Sequence, residues 1–126
     1  MFVLQVFVLL TDVMSLANGP TQLVPTSHLS GRRPNGQHNP TFQGREVVSM
    51  LGRAGDAYCF NNDIWHRGAP NWSDQVRLLG GTTYSQRRIS QKLFPHVDYH
   101  MPAHVFEGAS PRLQRFLGRH DKGPYG

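Results

Sequence analysis

The sequence predicts a mainly β domain, a sandwich or barrel, followed by a short C-terminal helix. Short apolar runs rich in Val, Phe, Tyr and Thr recur at roughly ten-residue spacing, which is the pattern of an all-β fold. Gly, Pro and Asn turn signals separate these runs, and only the last segment has helical periodicity.

The elements follow in order. Met1–Val13 reads as a strand because Val and Phe dominate it. It lacks the basic leader and small-residue cleavage site of a signal peptide, and it is too short to span a bilayer. Ser15–Pro20 is a turn centred on Asn18-Gly19, and Thr21–Val24 is a short returning strand, so the two strands are expected to form a hairpin. Pro25–Phe42 carries several prolines and glycines and reads as a long loop of the kind used as a lid. Arg45–Leu51 and Ala57–Phe60 are strands joined through the Gly55-Asp56 turn, and Cys59 is expected to pack there as a small hydrophobe. Arg77–Arg87 is the last clear strand, where Gly80-Gly81 signals a bulge or the close approach of a ligand. Ser110 caps a helix that opens with Pro111, puts Leu113, Phe116 and Leu117 on one face and stops at Gly118.

At 126 residues the chain is expected to be one domain, 1–126, and its 38% hydrophobic content suffices for a core. A single cysteine excludes an internal disulfide and fits a reducing cytoplasm. The net charge of +5 is spread over scattered Arg and Lys with no nucleic-acid-binding motif, so neither a nucleic acid nor a membrane is the expected partner. The pair His66 and Arg77 points instead to a small-molecule substrate.

The chemistry points to His66 and Arg77, eleven residues apart in Trp65-His66-Arg67-Gly68-Ala69-Pro70-Asn71 and the run after it. A neutral imidazole binds a metal through one ring nitrogen, and a guanidinium holds a carboxylate bidentately. The pair suits a non-haem iron site with a 2-oxo acid, provided both side chains face one cavity from neighbouring strands. The plainer alternative is a strand-end His that only packs and a surface Arg.

Further motifs flank the pair: Asn18-Gly19-Pro20-Thr21-Gln22-Leu23-Val24-Pro25-Thr26-Ser27-His28 upstream, then Arg53-Ala54-Gly55-Asp56. Together the three ordered motifs resemble the phytanoyl-CoA dioxygenase family of iron(II)/2-oxoglutarate oxygenases, from about Leu9 to the C-terminus. The resemblance implies a double-stranded β-helix, a cupin-like jelly roll, seen from its C-terminal half and therefore incomplete. It implies Fe(II) as metal with His66 as its distal ligand, 2-oxoglutarate as cosubstrate held by Arg77, and ascorbate as a stimulant of turnover. The family's other two ligands form an HxD motif on an earlier strand, completing a two-His-one-carboxylate triad. No His precedes His28, so that motif is expected upstream of the strand at Met1–Asp12.

His96-Val97-Asp98 is literally an HxD, with His100 and His104 behind it, but it follows His66 where the family's motif precedes. Pro95 and Pro102 make the segment irregular, so a structural or exposed role is expected. The family often has a hydroxyl donor two residues after the distal His. Gly68 stands there, so either Thr83 or Tyr84 helps hold 2-oxoglutarate or no hydroxyl does. Thr26 replaces the family's usual Gly and is strained if φ is positive there. His28 is expected to fix the loop, with a substrate contact as the alternative. Asn71 and Asp74 are expected to cap the turn between the two functional strands. Two competing readings remain: a catalytically inactive β-barrel relic or binding module, and a zinc or cupin-like module using His66 with His96, Asp98 or His100. An incomplete jelly roll also exposes strand edges, so self-association is expected.

Overall fold

The computed structural model describes residues 3–86 and 101–119. The chain divides into two compact units, Met1–Ser85 and Gln86–Gly126. In the first, Val3–Leu9 forms β1, whose branched and aromatic residues suit a pleated, half-buried strand. β1 lies in the centre of a three-stranded antiparallel sheet, between β4 (Ala57–Asn61) and β6 (Leu79–Ser85). β2 (Thr21–Leu23) is the centre of a second such sheet, between β3 (Val48–Met50) and β5 (His66–Gly68). Six strands in two antiparallel sheets, with one short α-helix among the described residues, make the fold mainly β and consistent with a jelly roll.

The register decides which side chains meet. On β1, Gln5 stands opposite Phe60 and Thr83, and Phe7 stands opposite Tyr58 and Gly81. These residues share one face, and it faces the second sheet. The Tyr58 hydroxyl donates to Thr21 Oγ1 at 2.7 Å, and the Phe60 ring lies 5.1 Å from that of His66. Phe7 sits edge-on to both Tyr58 and Phe60, at 5.7 and 5.3 Å between centroids. Among the described residues, Leu9, Val13, Pro20, Val24, Phe60 and Trp65 are the buried apolar side chains.

The Pro25–Phe42 segment packs on the opposite face of the second sheet. Ser27 starts a 3-10 turn (Ser27–Ser30) and is fully buried. Its hydroxyl donates to Val24 O and accepts from Trp65 N, both at 2.7 Å. Trp65 Nε1 donates to Arg32 O at 2.8 Å, Arg67 Nη1 donates to His38 O at 2.6 Å, and Phe42 lies edge-on to Trp65. The loop is thus tied to the strand that carries His66. Thr26 does adopt φ +65°, the left-handed region that a β-branched residue rarely enters.

Several expectations need correction. β1 and β2 form no hairpin, because they belong to different sheets and the chain between them crosses from one to the other. Asn18-Gly19 turns the chain, but the strand pairing is decided by distant partners. The last strand starts at Leu79, so Arg77 lies just before it, and β5 and β6 are not neighbours. The ladder runs unbroken through Gly80 and Gly81, so no bulge forms. Gly81 is instead a close approach to the Phe7 ring, where a Cβ would lie 2.9 Å from Cε1. Cys59 points away from its inward neighbours Tyr58 and Phe60 and is exposed.

In the second unit, Ala103–Phe106 forms a 3-10 turn and Pro111–Phe116 forms α1. Ser110 caps α1, its side chain accepting from Leu113 N at 3.2 Å, and Gly118 follows the helix at φ +94°. No helix among the described residues is long and apolar enough to cross a membrane.

Candidate functional site

His66 opens β5 opposite Leu23, and Gly68 closes it opposite Thr21. Alternation puts His66 and Gly68 on one face and Trp65 and Arg67 on the other. The Arg67 contacts agree, since its Nε donates to Gln22 Oε1 at 2.9 Å on the loop side. The imidazole faces the aromatic surface of the first sheet and remains exposed. Its Nδ1 lies 2.8 Å from Ile64 O. A carbonyl only accepts, so Nδ1 carries the proton and the neutral ring presents Nε2 as a free lone pair. A metal-ligating histidine is oriented in the same way.

Arg77 approaches from the other sheet's end of the chain, yet reaches the same face of β5. A Cβ on Gly68 would lie 3.3 Å from Arg77 Nη2 and 3.9 Å from Nη1, so the guanidinium occupies the space above Gly68. Arg77 Nη1 is buried and has no hydrogen-bond partner among the described residues. A buried, unpartnered donor of a charged group costs about 1–3 kcal/mol or more, an amount that a bound acceptor recovers. A carboxylate is the acceptor whose geometry matches the guanidinium fork.

The polar residues nearby divide their bonds internally. The Thr83 hydroxyl donates to Gln5 Oε1 at 3.0 Å, and Gln5 Nε2 donates to Asn62 Oδ1 at 2.8 Å. Gln5 was legible only as an interruption of an apolar run. Its parity with Phe7 on β1 is the signal that places it inside, beside Phe60. Asn71 caps the turn after β5: its Nδ2 donates to Gln75 O at 2.7 Å and its Oδ1 accepts from Ser73 N at 3.0 Å. His28 lies exposed in the Ser27–Ser30 turn. Trp65 is buried against Phe42 and Arg32, as a core residue.

A cavity of about 110 Å³ opens beside β5, lined by Leu23, Trp65, His66, Arg67 and the loop prolines Pro34 and Pro40; Arg77 is not in its lining. Among the described residues, no three His, Cys, Asp or Glu side chains gather to hold a metal ion. His96, Asp98 and His100 lie outside the described residues. His104 falls in the second unit's 3-10 turn.

A jelly-roll-like pair of sheets thus carries, on one face of β5, an oriented imidazole and a guanidinium with one buried, unpartnered nitrogen. Residues 2–79 match the family described as phytanoyl-CoA dioxygenase, and the chain belongs to that family. It is similar to dioxygenase lolE1 of Epichloe uncinata, 31% identical over 98 residues that cover 72% of this chain and 38% of that protein. It is also similar to dioxygenase cdmD of Talaromyces verruculosus, 29% identical over 102 residues, 80% of this chain and 31% of that protein. The chain therefore spans a little over a third of the first relative and under a third of the second.

Proposed function

We propose that this chain carries the distal-histidine and acid-anchoring part of a non-haem iron(II)- and 2-oxoglutarate-dependent dioxygenase centre that hydroxylates a small molecule. Iron(II) with 2-oxoglutarate and dioxygen would supply oxidative chemistry in which one oxygen atom goes to the substrate as a hydroxyl, the other to succinate, and the 2-oxo acid loses carbon dioxide. In this reading His66 Nε2 is one iron ligand, held in the right tautomer by Ile64 O. Arg77 binds the carboxylate of 2-oxoglutarate remote from the metal. The observation that carries the reading is the buried, unpartnered Nη1 of Arg77, on the face of β5 that also bears His66. The Thr83 hydroxyl already donates its hydrogen bond to Gln5 Oε1, so it donates to the cosubstrate only by releasing that partner. The Phe7, Tyr58 and Phe60 rings give this side an apolar wall. A triad needs a second His and a carboxylate, and in this reading both come from an HxD segment outside the 126 residues.

The test is succinate release with iron(II), ascorbate and 2-oxoglutarate. It compares the chain alone with a version extended by an HxD-bearing segment, and the extended version with its His66→Ala and Arg77→Ala variants. The chain alone is expected to be silent and the extended version active. His66→Ala is expected to abolish release, and Arg77→Ala to raise the 2-oxoglutarate concentration required. An extended Arg77→Ala variant that keeps the parental 2-oxoglutarate dependence would remove the anchor role. Release from the short chain that depends on His66 would mean that other ligands, the His96–His104 segment first among them, complete the site.

A further inference from the structure

We propose that the Asn18-Gly19-Pro20 corner is the positioning element for Arg77, clamping the loop that joins it to His66 so that the guanidinium lies over Gly68. The inference rests on the reading of Arg77 as the cosubstrate anchor.

The corner and the loop meet backbone to backbone. Gly19 has φ +67°, and a Cβ there would lie 2.8 Å from Ala69 O, 2.9 Å from Asn71 N and 3.0 Å from Asn71 Cα. All three atoms are main chain, so no rotamer change makes room. Ala69 N donates to Pro20 O at 2.9 Å, while Trp72 N and Ser73 N donate to Ala17 O at 2.8 and 3.1 Å. Asn18 divides its amide between two tasks. Its Oδ1 accepts from Met14 N and Ser15 N at 3.2 and 3.0 Å, within the corner. Its Nδ2 reaches across to Ser73 Oγ at 3.2 Å and Gln75 Oε1 at 3.5 Å. At its far end the loop is held by Leu78, whose N donates to Thr11 Oγ1 and whose O accepts from Leu10 N, both at 3.0 Å. Arg77 is thus suspended between two fixed points, both set by the segment that leaves β1. Its Nη2 clears the Gly68 Cβ position by only 3.3 Å, so a small displacement of the loop changes where the cation sits.

Two variants separate the clamp from general folding. Asn18→Asp keeps the acceptor for Met14 N and Ser15 N but replaces the donor that faces Ser73 and Gln75. Gly19→Ala forces the backbones apart. The readout is modification of Arg77 by phenylglyoxal, followed by mass spectrometry, with 2-oxoglutarate as protecting ligand. Amide exchange at Ala69 and Trp72 and the melting midpoint are measured alongside. Losing a hydrogen bond to a charged group weakens binding by roughly ten- to a hundredfold. Gly19→Ala is therefore expected to raise the half-protecting concentration toward the upper end of that range, about a hundredfold, and Asn18→Asp toward the lower end, about tenfold. Asn18→Asp is expected to melt with the parent, and both variants to exchange Ala69 and Trp72 amides faster. Parental protection of Arg77 in a folded Asn18→Asp variant with faster exchange overturns the clamp, and so do unchanged amides. If Gly19→Ala fails to fold, Asn18→Asp decides alone. If 2-oxoglutarate protects Arg77 not even in the parent, the anchor reading fails, and amide exchange still decides whether the corner holds the loop.

Discussion

Adjacent glycines on β6 are expected to respond to the same substitution with opposite sign. At Gly80 an added methyl finds Leu10 Cδ1 and Val8 O at 3.9 Å, ordinary contact distances. Gly80→Ala then acts mainly by restricting the unfolded chain and stabilises by about 0.5 kcal/mol. At Gly81 the methyl would meet Phe7 Cε1 at 2.9 Å and Cδ1 at 3.1 Å. Phe7 has little freedom to retreat, because Tyr58 and Phe60 hold its ring edge-on at 5.7 and 5.3 Å. Overpacking of this kind costs about 1–3 kcal/mol, against about 0.5 kcal/mol gained from the unfolded chain. The two variants should therefore differ by about 1–3 kcal/mol in stability. Each kcal/mol moves the midpoint by about 4 °C at this chain length. Thermal and urea melts followed by circular dichroism measure the difference. Adding Phe7→Leu should recover part of the Gly81→Ala loss, and the double-mutant cycle gives the coupling. Equal melts for the two alanine variants, or a Gly81→Ala variant as stable as the parent, would refute the packing assigned to this face.

Three other outcomes are expected. Tyr58→Phe removes the hydrogen bond between the two sheets and leaves buried Thr21 without its donor, at a cost of about 1–2 kcal/mol that adding Thr21→Val reduces. Millimolar 2-oxoglutarate should raise the midpoint of the parent chain and leave that of Arg77→Met unmoved, and an equal rise in both would place the anion elsewhere. The chain should self-associate with concentration in sedimentation velocity, because β3, β4 and β5 each have an edge with no strand partner among the described residues and Leu10, Leu16, Trp72 and Val76 are exposed. A single monomeric boundary at high concentration contradicts this.

What the sequence disclosed follows the range of the forces involved. β1 and β4 were legible because a strand is a local preference of Val, Phe and Tyr, and α1 because Ser110 and Pro111 act on their own turn. The β1–β2 hairpin was misread for the same reason: Asn18-Gly19 is a local turn signal, while the choice of sheet depends on partners more than forty residues away, such as Phe60 for Gln5. His66 and Arg77 stood out by residue type and motif. That they share a face depends on Gly68 having no side chain and on a loop held from Ala17 to Pro20, neither of which spacing reveals. Cys59 was misplaced because alternation tells which residues share a face and not which face is inward; Tyr58 and Phe60 decide that. Gly81 was read as a bulge or the close approach of a ligand; what approaches is an aromatic ring of the same sheet, and only the register identifies it.

The central place of β1 bears on how the chain is made. Its two neighbours arrive late: the Gln5 side chain reaches Asn62, 57 residues on, and Thr83, 78 residues on. At about 5–20 residues per second, roughly 4–16 seconds of synthesis separate Gln5 from Thr83. Until Ala57–Asn61 has been made, Val3–Leu9 has neither of the strands that flank it in the finished sheet, and until Leu79–Ser85 has been made it has only one. Contacts this distant in sequence also close slowly once available. A strand with open edges pairs readily with other chains, so the strand that organises the finished sheet is also the one most exposed to mispairing before its neighbours exist.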